Sequence, residues 1–477
     1  MNSILKAESF INEHKDLVNP MYRPAYHAVA PCGWINDPNG FCYFKGKYHL
    51  FFQYNPYSSV WDSMHWGHWI SDNLVNWEWC GVAMAPDMPY DSYGCFSGHA
   101  IVKDDTLNLF YTGVRFDEEG VCHQEQCLAQ SKDGYHFKKY EGNPVITAAQ
   151  LPDGASIIDF RDPKVYFSGD KYYMLVASHG PKGGDILKYE SNDLIHWKFD
   201  KKHIEGMCLM LECPDGFEQN DHFVTVVSTI EMPANGLKYP GKQPVIGLID
   251  VEKNKPVEVV FDNGFDFYAA ETVETTDKRR VMIGWMLNGP DDFAPRYLEH
   301  QWNNMMTIPR ELYVKDDTIL QVPVRELEAL RQDEHMYAGN TMSIKCDRVC
   351  ELSVDVCLNS AHKITIHTAE SEGEFFSIEY DVKRQVIRID RSKAGYYFGK
   401  DGEPETKPYR EAMLPTDEGR LGLRIFMDRS SCEIFSKDGR LVMSNLMCPK
   451  GSADGFSCVS DDNSAEFMVK AWKLKTN

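Results

Sequence analysis

The stretch Asn39-Gly-Phe-Cys-Tyr-Phe44, Lys45-Gly-Lys47, Tyr48-His-Leu-Phe-Phe52 reads as a turn, a β-patterned run, a charged hairpin tip and a second, aromatic-rich run. Short runs of aromatic and branched residues bounded by Gly or charged turns mark paired strands. The same arrangement returns four more times: Gly98–Val102 with Leu107–Tyr111, Asp162–Phe167 with Tyr172–Val176, Cys213–Phe217 with His222–Val227, and Glu271–Thr275 with Arg280–Trp285. The markers Gly40, Gly98, Asp162, Cys213 and Glu271 recur roughly every 50 to 65 residues, a period that holds about four strands per copy. Three copies carry a later Ser-led turn ending in an aromatic, at Ser71–Trp77, Ser131–Phe137 and Ser191–Trp197, which suits outer strands. Five such repeats predict a five-bladed β-propeller over residues 25–320.

Outside the repeats, Ile4, Leu5, Phe10, Ile11 and Leu17 lie at nearly helical spacing, so residues 1–24 are expected to form an N-terminal segment with a short packing helix. Residues 321–338, with the charged run Gln321-Val-Pro-Val-Arg-Glu-Leu-Glu-Ala-Leu-Arg331, read as a linker. From 339 to 477 alternating strands return, among them Ile364–Thr368, Val386–Asp390 and Leu423–Asp428, and predict a C-terminal β-sandwich. The fold class is therefore all-β: a propeller followed by a sandwich.

Composition narrows the partners. With 477 residues, 43% hydrophobic and 25% charged, the chain is long enough for two or three globular cores. A net charge of −21 argues against nucleic acid and against anionic membranes, which both select a basic footprint. Met1–Pro20 mixes Lys6, Glu8, Glu13 and Asp16 among its apolar residues, so no signal segment can be drawn, and no later run is long enough to span a bilayer. The 14 cysteines show no CxxC pair and read as reduced, buried thiols. These features lead to an expectation of a cytoplasmic protein. His65 and His68 lack a third ligand nearby, so no metal site is expected. Homo-oligomerisation is left open.

Asp37, in Trp34-Ile-Asn-Asp-Pro-Asn-Gly40, is a carboxylate held by a turn at the mouth of a strand. On its own it reads first as turn punctuation, since Asp-Pro and Asn-Gly both initiate turns. In a propeller, however, the innermost strands surround one axis, so residues at one point of each repeat converge. That point reads Asp37, Phe96-Ser97, Arg161-Asp162, Glu212 and Tyr268 to Glu271. Gathering like charges costs several kcal/mol, which stability alone does not explain. Two carboxylates across a polar cavity serve glycosidic-bond cleavage, where one attacks or activates water and the other supplies a proton. Asp37 suits the rigid attacking group and Glu212 the acid with a raised pKa, while Asp162 holds hydroxyls and Arg161 orients it. Of the many indoles, Trp34 and Trp61 are the candidates to face a sugar, with Gln53, Asn36 and Asn55 as amide partners for its hydroxyls.

Trp34–Gly40, Phe96-Ser97-Gly98, Phe160-Arg-Asp-Pro163 and Glu212-Cys-Pro-Asp215 resemble, in order, the signature motifs of glycoside hydrolase family 32, the invertase and sucrose-6-phosphate hydrolase group. The likeness extends to Gly264–Tyr268, Pro309–Leu312 and Asp428-Arg-Ser-Ser-Cys-Glu433. It implies a propeller with a sandwich and cofactor-free, retaining hydrolysis of β-fructofuranosides. By resemblance, Asp37 is the nucleophile, Glu212 the acid/base and Asp162 the transition-state stabiliser, with Asn36, Gln53, Trp61, Phe96, Ser97 and Arg161 at positions that bind the fructosyl unit; Trp34, Ile35 and Tyr268 are further candidates for sugar binding. Ile35, Leu211 and Ala270-Glu271 depart from the residues common among relatives, which bears on the leaving-group side. The expected substrate is sucrose 6-phosphate or sucrose. The alternatives are a β-fructofuranosidase of short fructo-oligosaccharides, a fructosyl transferase, and a non-catalytic sugar-binding propeller.

Overall fold

A computed structural model describes residues 3–475 apart from 234, 238–242, 254–255, 288–292 and 316. Five antiparallel sheets account for the repeats, and their first strands are Gly33–Phe44, Gly94–Lys103, Phe160–Ser168, Met210–Gln219 and Tyr268–Glu274. Each sheet runs outward through four strands, and the first gains a short parallel strand, Trp302–Asn303, beside Gly33 and Trp34. The first strands pack against one another in succession and the fifth returns to the first, which closes the ring into five blades.

All five first strands break their ladder at the same height. The register shifts fall at Ile35–Pro38, Phe96–Gly98, Arg161–Lys164, Glu212–Asp215 and Tyr268–Glu271. A bulge leaves a residue unpaired and re-aims its side chain, so five bulges at one level furnish the wall of an axial site. Asp162, Cys213 and Ala269 sit there at φ of 63°, 44° and 50°. Non-glycine residues in that region carry backbone strain that the surrounding sheet must hold. At Gly98 a Cβ would stand 2.0 Å from the carbonyl oxygen of Phe110, so the residue after Ser97 has no room for a side chain.

Below the bulges the channel is filled by charge. Lys164 Nζ lies 2.7 Å from Asp215 Oδ1 and 2.6 Å from His99 Nε2. The Glu271 carboxylate accepts from the backbone N–H groups of Gly40 and Phe41, at 3.1 and 2.8 Å, and so pins the turn that follows Asp37. Between this layer and the bulges remains a cavity of about 20 Å³, enough for a water molecule.

The C-terminal unit is two six-stranded sheets packed face to face. Leu352, Val354, Ile364, Ile366, Ile378, Ile389, Leu423 and Ile425 point inward from alternate positions and form its core. The boundary differs from the sequence expectation. Thr318–Pro323 is the outer strand of the fifth blade, Arg325–Leu330 is a 3-10 turn, and Arg331–Gly339 is an edge strand of the sandwich. Residues 321–338 are therefore largely sheet. Most of Arg331–Gly339 is solvent-exposed and its ladder is bulged at Gln332–His335, so it lacks the apolar alternation that marks a strand in sequence. The N-terminal helix is Ile4–His14, capped by Ser3 and followed by a 3-10 turn at Lys15–Leu17. It buries Ala7 and Ile11 against the first blade, and Glu8 Oε1 accepts from the N–H of Val82.

Candidate active site

The bulges bring Asp37, Asp162 and Glu212 to the axis with Ser97, Arg161, Cys213 and Tyr268 around them. Asp37 Oδ2 accepts from Ser97 Oγ at 2.5 Å and from Cys213 Sγ at 3.4 Å. Asp162 Oδ2 accepts from the N–H of Cys213 at 3.0 Å, and its own N–H is held by Thr112 Oγ1 at 2.9 Å. Glu212 is gripped on both oxygens. Arg161 Nε and Nη2 donate to Oε1 at 3.1 and 2.8 Å, and the Tyr268 hydroxyl donates to Oε2 at 2.8 Å.

The electrostatics follow from burial and crowding. Burial pushes the Asp37 carboxyl above the usual range; the Ser97 hydrogen bond works against this and the Glu212 charge adds to it. Burial lifts Asp162 to about 7 against the pull of Arg161, with the charges of Glu212 and Asp37 contributing. The Cys213 thiol and Tyr268 phenol are each held well above their ordinary values, by burial and then by the neighbouring carboxylates. Both therefore remain protonated donors at neutral pH. The site concentrates negative charge and surrounds it with fixed hydrogen-bond donors.

Several residues behave differently from the sequence expectation. Arg161 orients Glu212 and also meets Asp159 Oδ1 at 3.0 Å; its fork is not on Asp162, which Cys213 holds instead. Trp34 is 2% exposed, donates its Nε1–H to Asn36 Oδ1 at 2.9 Å and lies edge-on to Trp285. It positions Asn36 and presents no open face to a ligand. Ile35 belongs to a hydrophobic core with Phe41, Phe52 and Tyr54, because alternation along the strand turns it away from the axis. Gln53 is buried and donates to the carbonyl of Cys95. Trp61 is 40% exposed at the rim, with Phe96 edge-on at 5.7 Å, and offers the open aromatic surface.

Sequence reasoning missed Cys213, which touches two of the three carboxylates, and Gln124, whose Oε1 receives the N–H of Phe160 at 2.9 Å and faces Arg161 Nη1 at 3.4 Å. Cys213 was visible as a repeat marker beside Glu212. Gln124 lies on an outer strand and has no signal in the inner register. Among the described residues no group of three or more His, Cys, Asp or Glu side chains is placed to hold a metal ion.

The Tyr268 bond gives a direct test. Tyr268→Phe removes one donor to a carboxylate, worth roughly 1.5–3 kcal/mol. A fall in kcat of about ten- to a hundredfold with little change in KM is expected in steady-state assays; an unchanged kcat would mean that the bond does not serve Glu212 during turnover.

Comparison with known proteins matches residues 27–323 to the glycosyl hydrolases family 32 N-terminal domain and 326–473 to the family 32 C-terminal domain. A sucrose-6-phosphate hydrolase of Escherichia coli is 34% identical over 454 residues, covering 92% of this chain and 91% of that one. A Bombyx mori GH32 beta-fructofuranosidase superposes with a TM-score of 0.85 at 32% identity, covering 99% and 98% of the two chains, and a mutant of it has been solved in complex with sucrose. A sucrose-6-phosphate hydrolase from Lactobacillus gasseri superposes with a TM-score of 0.88 at 26% identity, over the full length of both chains.

Proposed function

The chain belongs to glycoside hydrolase family 32, and from that premise we propose that it cleaves the β-D-fructofuranosyl bond of sucrose 6-phosphate, and of sucrose, by double displacement. The observation that carries the reading is the axial cluster itself. Asp37 is fixed by Ser97 and Cys213, and Glu212 by Arg161 and Tyr268, with Asp162 between their supports.

In the first step the Asp37 carboxylate attacks the anomeric carbon of the fructosyl unit while Glu212 passes a proton to the departing glycosidic oxygen. In the second, Glu212 takes a proton from water as the hydroxyl oxygen displaces Asp37. Asp162 accepts from a sugar hydroxyl, and that contact strengthens as positive charge develops on the ring. Trp61 and Phe96 supply apolar surface for the C–H faces of the sugar at the rim.

The phosphorylated substrate is supported by the likeness to the Escherichia coli sucrose-6-phosphate hydrolase. A sucrose phosphate formed by phosphorylation on uptake stays inside the cell, since a phosphate ester does not cross a bilayer unaided, and this reading therefore places the enzyme in the cytoplasm as part of the proposal. A non-catalytic propeller is disfavoured, since the chain retains both carboxylates and the donors that hold them. The kcat/KM for sucrose 6-phosphate is expected to exceed that for sucrose at least tenfold in parallel assays. Equal values would remove the phosphate preference and leave sucrose or short fructo-oligosaccharides as the substrate.

A further inference from the structure

Far from the carboxylates, one end of the sandwich gathers positive charge on a chain whose net charge is −21. Three neighbouring strands, Glu466–Leu474, Val349–Cys357 and Arg420–Asp428, meet there. Their ends and the residues just beyond them place Lys473, Lys475, Arg348 and Arg429 around a cleft of about 620 Å³. The N-terminal arm at Pro20 and Met21 forms another wall, and the half-exposed Met21 side chain adds apolar surface. The volume is that of a small-molecule site.

The cations are poorly compensated. Asp347 lies in the cleft, but it reaches Lys473 at 3.5 Å with both side chains about half exposed, a pairing worth little. Among the described residues no carboxylate forms an ion pair with Arg348, Arg429 or Lys475. The guanidiniums rest on carbonyls instead: Arg348 Nη1 donates to the Arg429 oxygen, and Arg429 Nη1 to the oxygens of Pro20 and Arg23. Burial and the nearby Arg429 charge hold Arg348 below the usual arginine range, with Tyr22 and the Asp347 charge opposing. Arg429 also occupies a tight turn between strands at φ 50°, where glycine or asparagine is the easy choice. Two guanidiniums that repel each other, one of them at a strained position, are arranged for an anion that both can bind through their planar forks.

We propose that this cleft binds a small phosphomonoester, with its phosphate between Arg348 and Arg429, Lys473 and Lys475 at the rim, and its organic body against Met21. A dianion matches four cations set against one carboxylate, and the acidic surface elsewhere disfavours an extended polyanion. The ligand sits on the arm that leads into the strand carrying Asp37. The proposal does not depend on the catalytic reading.

The test is calorimetric titration of the full chain with glucose 6-phosphate, inorganic phosphate and glucose at fixed ionic strength, repeated on Arg348→Gln/Lys475→Gln. Arg429 is left intact because it also anchors the arm. Sucrose hydrolysis by the double variant, expected to be unchanged, verifies its fold. Glucose 6-phosphate should bind at least tenfold more tightly than phosphate, glucose should not bind, and the variant should lose at least tenfold in affinity. Hydrogen exchange should show protection at residues 21–23 and 347–349. No binding, phosphate binding as tightly as its ester, equal affinity in the variant, or protection confined to the axial site around Arg161 would each overturn the proposal.

Discussion

Asp37→Asn is expected to lower kcat by about 10⁴-fold or more while sucrose continues to bind. The substitution preserves shape and replaces an attacking oxygen anion with an amide that cannot form the glycosyl-enzyme. Its neighbours distinguish this from a folding defect. Asp37 is buried and its carboxyl is already pushed up by burial and by the charge of Glu212, so neutralising it relieves crowding. The melting temperature of the variant should therefore equal or exceed that of the parent. A second consequence appears at Asp162, which Asp37 helps to raise to about 7. Without that charge, the Asp162 titration should move down, a shift readable by carboxyl-labelled NMR of the unliganded protein. Turnover within tenfold of the parent would exclude Asp37 as the nucleophile, whatever happened to stability.

The propeller was legible because its strands are short aromatic and branched runs whose bounding turns repeat in register. Aligning those turns was enough to pick out Asp37, Asp162 and Glu212 from scattered positions, since one register is one height on the axis. What the register could not convey was the bulge. Each inner strand carries one at that height, and a bulge reverses which side chains face the channel on either side of it. Hence Arg161, next to Asp162, reaches across to Glu212, while Ile35, next to Asn36, packs into the core by ordinary alternation. Trp34 was credited with a sugar face for its chemistry, yet an indole with its N–H on Asn36 and its edge on Trp285 is a support. The strand Arg331–Gly339 escaped because sandwich edges are exposed, and exposure erases periodicity. The late segment Asp428–Glu433 could be matched to a family but not to a purpose, because its partners lie far off in sequence, about 400 residues away at Ala25–His27 and about 125 away at Ile308 and Arg310.

That purpose is the junction between the two units, where Glu433→Ala is expected to cost about 3–5 kcal/mol, since removing one partner leaves buried charges uncompensated. His27 Nδ1 lies 2.7 Å from Asp428 Oδ2 and its Nε2 2.9 Å from Glu433 Oε1, with all three side chains sealed from solvent. Asp428 also accepts from the backbone N–H groups of Ala25 and Tyr26, while Glu433 accepts from the N–H of Ile308, from Arg310 Nη2 and from Ser444 Oγ. Arg310 in turn meets Asp262 at 2.9 Å. Burial alone would push the His27 imidazole down; its hydrogen bonds to Asp428 and Glu433, and their charges, outweigh this and raise it from 6.5 to about 9. The sign is then fixed. A raised folded-state value means that the contribution of His27 is complete below pH 6.5 and is lost as the pH climbs through about 9. The shift corresponds to about 3 kcal/mol. Glu433 is moved the other way: burial opposes, but His27 and Arg310 pull its carboxyl below the usual range, so its contribution is present above the ordinary glutamate value of 4.5 and fades as acid protonates it. Urea unfolding of the parent should therefore show stability falling between pH 6.5 and 9. His27→Gln should lose most of that slope, because the titrating ring is gone. If the two proteins lost stability in parallel over this interval, the alkaline weakness would lie elsewhere and the junction would not be held by a protonated His27.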